Sequence, residues 1–112
     1  MIELFYASTP NGRKISIMLE ETKIKYKITP INLNKDEQLK PEFLKINPYG
    51  KIPAIIDHEK NLVLIESGAI LVYLAKKSNQ FLPKKNEIKI FEWLMFQISN
   101  VGPILGQLHH FS

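Results

Sequence analysis

Residues 51–75, KIPAIIDHEKNLVLIESGAILVYLA, limit the possible folds more than any other stretch of this chain. Pro53 interrupts an apolar run that otherwise reads as a strand. A proline gives up a ladder hydrogen bond, so Pro53 belongs at a strand start or in a cis turn. Ile52 to Asp57 and Leu62 to Glu66 then read as two strands, and the short connection His58 to Asn61 demands an antiparallel hairpin. Ser67 stands directly before an apolar run, in the position of a helix cap, and predicts a helix from Ser67 to Lys77. A helix N-terminus presents free N–H groups and attracts anions. Together the proline and the helix start point to a site for a small, extended, negatively charged peptide.

The chain before this stretch supplies a βαβ unit. Ile2 to Tyr6 is β-branched and aromatic, and Ala7 to Gly12 is rich in turn formers. Ile15, Met18 and Leu19 recur at helical spacing between Arg13 and Glu21. Tyr26 to Leu33 alternates apolar and polar residues, as an outer strand with one buried face does. Asn34 to Lys40 is polar, Pro41 opens a short helical turn in PEFLKI, and Asn47 to Gly50 makes the next turn.

After the hairpin, the Ser67 helix is apolar on almost every side, as is a further helix that begins near Asn86 and carries Phe91, Trp93, Leu94 and Phe96. Gly102 and Pro103 should kink or end that helix. Such surfaces need further layers, so the expectation is a truncated or unusually short chain whose cover is more chain or a second subunit.

Composition excludes several classes. Fifteen Lys plus Arg against eleven Asp plus Glu give a net charge of +4, yet the cations are scattered among acids and form no stripe interleaved with aromatics. Nucleic acid is therefore not the expected partner, whereas a mild positive field can draw in an anionic small molecule. No apolar run approaches the roughly 18 residues of a membrane span, and the start MIELFYAS lacks a secretory pattern, so a cytoplasmic location is expected. With no cysteine there is no disulfide, no thiolate metal ligand and no thiol of the protein's own. Any reacting sulfur arrives with a ligand.

NPYGKIPAIID followed by LIESGAILVYLA resembles the N-terminal domain of cytosolic glutathione transferases. That family's pattern is Asn-Pro, a basic residue, an apolar residue, Pro, and then Glu or Asp with Ser opening a helix. The resemblance covers residues 1 to about 80, and STPNGRK and GPILGQLHHF are similar to the bacterial nu-class subgroup, relatives of the yeast nitrogen-regulating prion protein. It implies an α/β fold: a thioredoxin-like βαβ-ββα domain with a mixed four-stranded sheet, followed by the beginning of an all-α domain. The expected divisions are a glutathione-binding domain over 1–78, a linker over 79–85, and the first helix of a helical domain over 86–112.

The resemblance also implies glutathione as cosubstrate, with no metal. Ser67 would meet the γ-glutamyl carboxylate and Glu66 the ammonium. Ile52 would pair through its backbone with the ligand's cysteine, shaped by a cis Pro53, while Lys51 and Gln38 would reach toward the glycine end. Thr9 and Asn11, in the loop Ser8 to Asn11, would be the catalytic pair that stabilises the ligand's thiolate; Tyr6 reads as core. The implied activity is reduction of small disulfides, with glutathione disulfide able to occupy the site, and conjugation to electrophiles as a further possibility. The implied assembly is a homodimer, without nucleic acid or membrane.

Each residue also has a plainer reading. Ser67 as an ordinary cap, Thr9 and Asn11 as turn residues, and Lys51 and Gln38 as solvated surface would leave a non-catalytic glutathione-binding or interaction scaffold. His109 and His110 suggest a metal, but neighbours on a helix point about 100° apart and no further ligand lies near them in sequence.

Overall fold

A computed structural model of the protein describes residues 1–80 and 87–96. Its elements are β1 (Ile2–Tyr6), α1 (Pro10–Thr22), β2 (Tyr26–Pro30), α2 (Pro41–Leu44), β3 (Ala54–Asp57), β4 (Leu62–Ile65), α3 (Ser67–Ser78) and α4 (Glu87–Phe96). Short 3-10 turns at Leu33–Lys35 and Glu37–Leu39 join β2 to α2. The four strands form one mixed sheet in the order β2-β1-β3-β4, with β1 parallel to β2 and antiparallel to β3. This is the thioredoxin-like arrangement.

The alternation of β1 divides the core in two. Ile2 and Leu4 join Ile15 and Leu19 of α1, Ile55 of β3, and Ile70 and Leu74 of α3, all fully buried. On the opposite face Phe5 and Ala54 meet Phe43 of α2, and the Phe5 and Phe43 rings pack tilted by 60° at 5.9 Å. The buried stripe of α1 is Gly12, Ile15, Leu19 and Thr22, an i, i+3, i+7, i+10 series. Thr22 satisfies its buried hydroxyl by donating to the Met18 carbonyl at 2.8 Å.

Several boundaries differ from the sequence expectation. Helix α1 starts at Pro10, not Arg13, because Thr9 caps it and Pro10 takes the first helical position, where a missing N–H costs nothing. Strand β2 ends at Pro30, since Asn32 accepts from the N–H groups of Asn34 and Lys35 and turns the chain. Its buried face is also incomplete, with Ile28 45% exposed at the sheet edge. Strand β3 begins at Ala54, after a cis Ile52–Pro53 peptide. Helix α3 starts at Ser67 as expected, but Ser67 is its first helical residue and not its cap, a position that Glu66 holds. Around α3 burial is uneven: Ile70, Leu74 and Ala75 are buried, Leu71, Val72 and Tyr73 half-buried, and Ala69 exposed. Residues 81–86 and 97–112, with most of the expected linker 79–85 and with His109 and His110, lie outside the described residues.

One polar cluster ties helix α3 to the hairpin. Asp57, at the end of β3, is fully buried. It accepts hydrogen bonds from the Tyr73 hydroxyl, from Lys77 Nζ at 2.9 Å and from the Glu59 N–H at 3.1 Å. Burial pushes the Asp57 carboxyl pKa up, but these donors outweigh it and the net shift is downward. The hydrogen bond to Asp57 raises the Lys77 ammonium, against the opposing effect of burial. A depressed carboxyl stabilises the fold above its ordinary value of 3.8, and that contribution is lost as pH falls through the lower folded value. A raised ammonium stabilises below its ordinary 10.5 and loses that contribution as pH rises through the higher folded value. Asp57→Asn should cost about 1–3 kcal/mol in urea unfolding at pH 7. It should also flatten the dependence of stability on pH at both the acid and the alkaline ends.

Candidate functional site

A cleft of about 180 Å³ opens where the hairpin and the starts of α1 and α3 converge. Asn11 enters from α1, Lys51, Ile52 and Pro53 from the segment before β3, and Glu66 and Ser67 from the start of α3. The register explains the convergence. Ala54 lies opposite Ile65 in the β3–β4 ladder, so Pro53 and Glu66, thirteen residues apart in sequence, end up side by side at its open end.

Two features leave backbone groups uncommitted here. The ladder begins at Ala54, so the N–H and C=O of Ile52 are not taken by a neighbouring strand. At α3, no side chain caps the first turn; the Glu66 carbonyl accepts from the Ile70 N–H at 3.0 Å, and the N–H groups before it face the cleft end. Ser67 is 8% exposed, with its hydroxyl at that same end. Glu66 has φ 72° and ψ 117°, a conformation that costs a side-chain-bearing residue about 1–3 kcal/mol. Such a cleft suits an extended ligand with a backbone to pair and an anionic end to place at a helix N-terminus.

Six of the eight residues singled out in the sequence thus line one cleft: Asn11, Lys51, Ile52, Pro53, Glu66 and Ser67. Thr9 lines a larger depression of about 640 Å³, with Tyr6, Ser8, Asn32 and Glu37. Its Oγ1 accepts from the Gly12 N–H at 3.1 Å, so its hydroxyl proton is free to be donated elsewhere. Asn11 accepts from Lys14 Nζ at 3.4 Å through Oδ1, which leaves its Nδ2 end for a ligand. Burial lowers the pKa of the Lys14 ammonium. Gln38 lies in the turn Glu37–Leu39 rather than in the cleft wall, and its Oε1 is buried without a hydrogen-bond partner.

The sequence reading passed over two lining residues, Asn47 and Tyr49, as turn formers. Asn47 is 3% exposed and Tyr49 is 76% exposed. Two signals pointed there: the Asn-Pro that opens the family's pattern, and the Asn-Pro-x-Gly turn itself, closed by Gly50 at φ 64°.

Residues 2–76 match the family described as glutathione S-transferase, N-terminal domain. The chain belongs to the glutathione S-transferase family. Along its whole length it is 46% identical to the disulfide-bond oxidoreductase YfcG of Escherichia coli K12, 55% of which it covers. A glutathione transferase family member from Pseudomonas fluorescens, solved with two glutathione bound, superposes with a TM-score of 0.92 at 44% identity over 98% of this chain and 51% of its own. A glutathione transferase from Pseudomonas putida, with one glutathione disulfide bound per subunit, gives 0.91 at 42% identity over 98% of this chain and 50% of its own. This glutathione S-transferase chain spans about half the length of the relatives it matches.

Within this transferase domain Gly12 sets the position of Thr9. A Cβ on Gly12 would lie 2.4 Å from the Ala7 carbonyl oxygen, 3.2 Å from Thr9 Oγ1 and 3.3 Å from the Tyr6 ring. The first contact is with backbone, so the loop would have to move. Gly12→Ala gains up to about 1 kcal/mol of helix propensity, but overpacking of about 1–3 kcal/mol should prevail. A lower urea midpoint than wild type is the expected measurement.

Proposed function

We propose that this chain binds glutathione in the cleft between Ile52 and Ser67 and uses it to reduce small disulfides, as a nu-type member of its family. The observation that carries the reading is the pairing of an uncommitted Ile52 backbone with an uncapped α3 N-terminus at one cleft. Glutathione is an extended peptide with a carboxylate and an ammonium at its γ-glutamyl end. Ser67 and the helix N–H groups take that carboxylate, Glu66 the ammonium, and Ile52 the cysteine backbone. Lys51, in the cleft wall, and Gln38 serve the glycine carboxylate, Lys51 being the better placed. Pro53 shapes the segment and does no chemistry. The name of the Escherichia coli relative and the ligands of the two Pseudomonas structures support the assignment.

Because the chain has no cysteine, both reacting sulfurs belong to ligands. The thiolate of bound glutathione attacks one sulfur of the disulfide; a new S–S bond forms, the old one breaks, and the departing thiolate takes up a proton. The thiolate of a second glutathione then attacks the glutathione sulfur of the mixed disulfide, the remaining substrate thiolate is expelled and takes up a proton, and the two glutathiones leave joined as glutathione disulfide. Thr9 and Asn11, at the start of α1, donate to the attacking thiolate, which the helix N-terminus also favours. The protein's share is orientation and anion stabilisation. We place this activity in the cytoplasm and in a homodimer.

Titration calorimetry should detect binding of glutathione and of glutathione disulfide, and Ser67→Ala should weaken glutathione about tenfold through loss of a charge-assisted hydrogen bond. In a coupled assay on a small disulfide, Thr9→Ala combined with Asn11→Ala should lower kcat by roughly 10²-fold with binding retained. Unchanged affinity in Ser67→Ala would sink the anion site; binding without turnover in the wild type would leave a scaffold.

A further inference from the structure

We infer that Asn47 is a positioning residue of this cleft: its side-chain amide fixes the plane of the Lys51–Ile52 peptide and so aims the Ile52 N–H at the ligand. The inference rests on the reading of the cleft as a glutathione site.

Asn47 is buried, and both ends of its amide are used. Oδ1 accepts from the Tyr49 N–H at 3.0 Å, and Nδ2 donates to the Lys51 carbonyl at 2.9 Å. Its own backbone is held as firmly: the N–H donates to the Phe43 carbonyl at 2.9 Å, and the carbonyl accepts from the Gly50 N–H at 3.0 Å. Asn47 is therefore anchored to the end of α2 and reaches across the turn to the segment before β3. Other buried polar residues have different tasks; Thr22 bonds within its own helix and Asp57 ties α3 to the hairpin.

The consequence follows from peptide geometry. The Lys51 carbonyl and the Ile52 N–H belong to one planar unit, which is trans, the cis bond being the next one along. In a trans peptide these two groups point in opposite directions. A side chain that pulls the carbonyl to one side fixes the N–H on the other. Nothing in the sheet does this instead, because the ladder starts two residues later, at Ala54. Without Asn47 this peptide could rotate, and an extended ligand would have to order it on binding.

Asn47→Asp is the selective probe. It keeps the size and the acceptor for Tyr49 but sets an acceptor against the Lys51 carbonyl. Asn47→Ser, which removes the reach without adding charge, is the companion variant should the aspartate fail to fold. Below their melting temperatures both should bind glutathione about tenfold or more weakly and show raised KM, with kcat at saturation within about twofold of wild type, as expected of a lost orienting contact. Wild-type amide NMR adds a reading that stability alone cannot move: saturation with glutathione should shift the Ile52 N–H resonance as it becomes hydrogen-bonded, and this shift should shrink in the variants. Wild-type binding that leaves the Ile52 resonance unmoved, or variant affinities within twofold of wild type, would overturn the inference. Absence of any wild-type glutathione binding would instead overturn the reading of the cleft on which it rests.

Discussion

A buried carboxylate at the closed end of the hairpin determines where helix α3 begins. Asp57 accepts from Tyr73 and Lys77, which lie one turn apart on the last half of α3. The helix is thus held at its C-terminal half to the turn end of β3–β4, and its N-terminus is directed to the open end, where Pro53 and Ile52 lie. An unpaired carboxylate at full burial would be costly, but three donors make it a directional anchor that apolar packing alone would not provide. Ile70 and Leu74 contribute burial; the ionic contacts fix the register of that burial along the strand.

Much of this was legible in the chain. The hairpin, the helix after it and the opening βαβ unit could each be read from periodicity and turn residues, because local pattern and tertiary role agree there. The cleft's main components could be named for the same reason: a proline in a strand and a serine before a helix are conspicuous. What could not be read depends on contacts between distant residues. Asn47 looks like any turn asparagine until its amide is seen to reach Lys51. Asp57 looks like a strand end until Tyr73 and Lys77, sixteen and twenty residues on, are placed above it. Thr9 was assigned to the sulfur but not to the helix, although Thr-Pro is a common cap and first-residue pair; its capping oxygen and its free proton are compatible, since one hydroxyl can accept and donate at once. Gln38 illustrates the opposite case, a polar residue in a suitable segment whose oxygen turns inward.

The division of labour within the domain follows from these placements. In the proposed site, the binding groups come from the β3–α3 half and the groups assigned to the ligand's sulfur from the start of α1. The two halves meet through the buried face that Ile15 and Leu19 share with Ile70 and Leu74. On that proposal, affinity and reactivity rest on separate backbone segments joined by a packed interface, and a change in one need not disturb the other.

The order β2-β1-β3-β4 also leaves the two outer strands unequal. Strand β2 carries Lys27, mostly exposed and 3.9 Å from Glu3, and ends at Pro30, which has no N–H to offer. A foreign strand approaching that side meets charge and a missing donor, which are the means by which natural sheets resist growing into one another. Strand β4 reads LVLI, with Val63 partly open to solvent and no charged residue within it. Among the described residues, what guards it against edge-to-edge aggregation is its short length and its position between the hairpin turn and the start of α3, not its side chains.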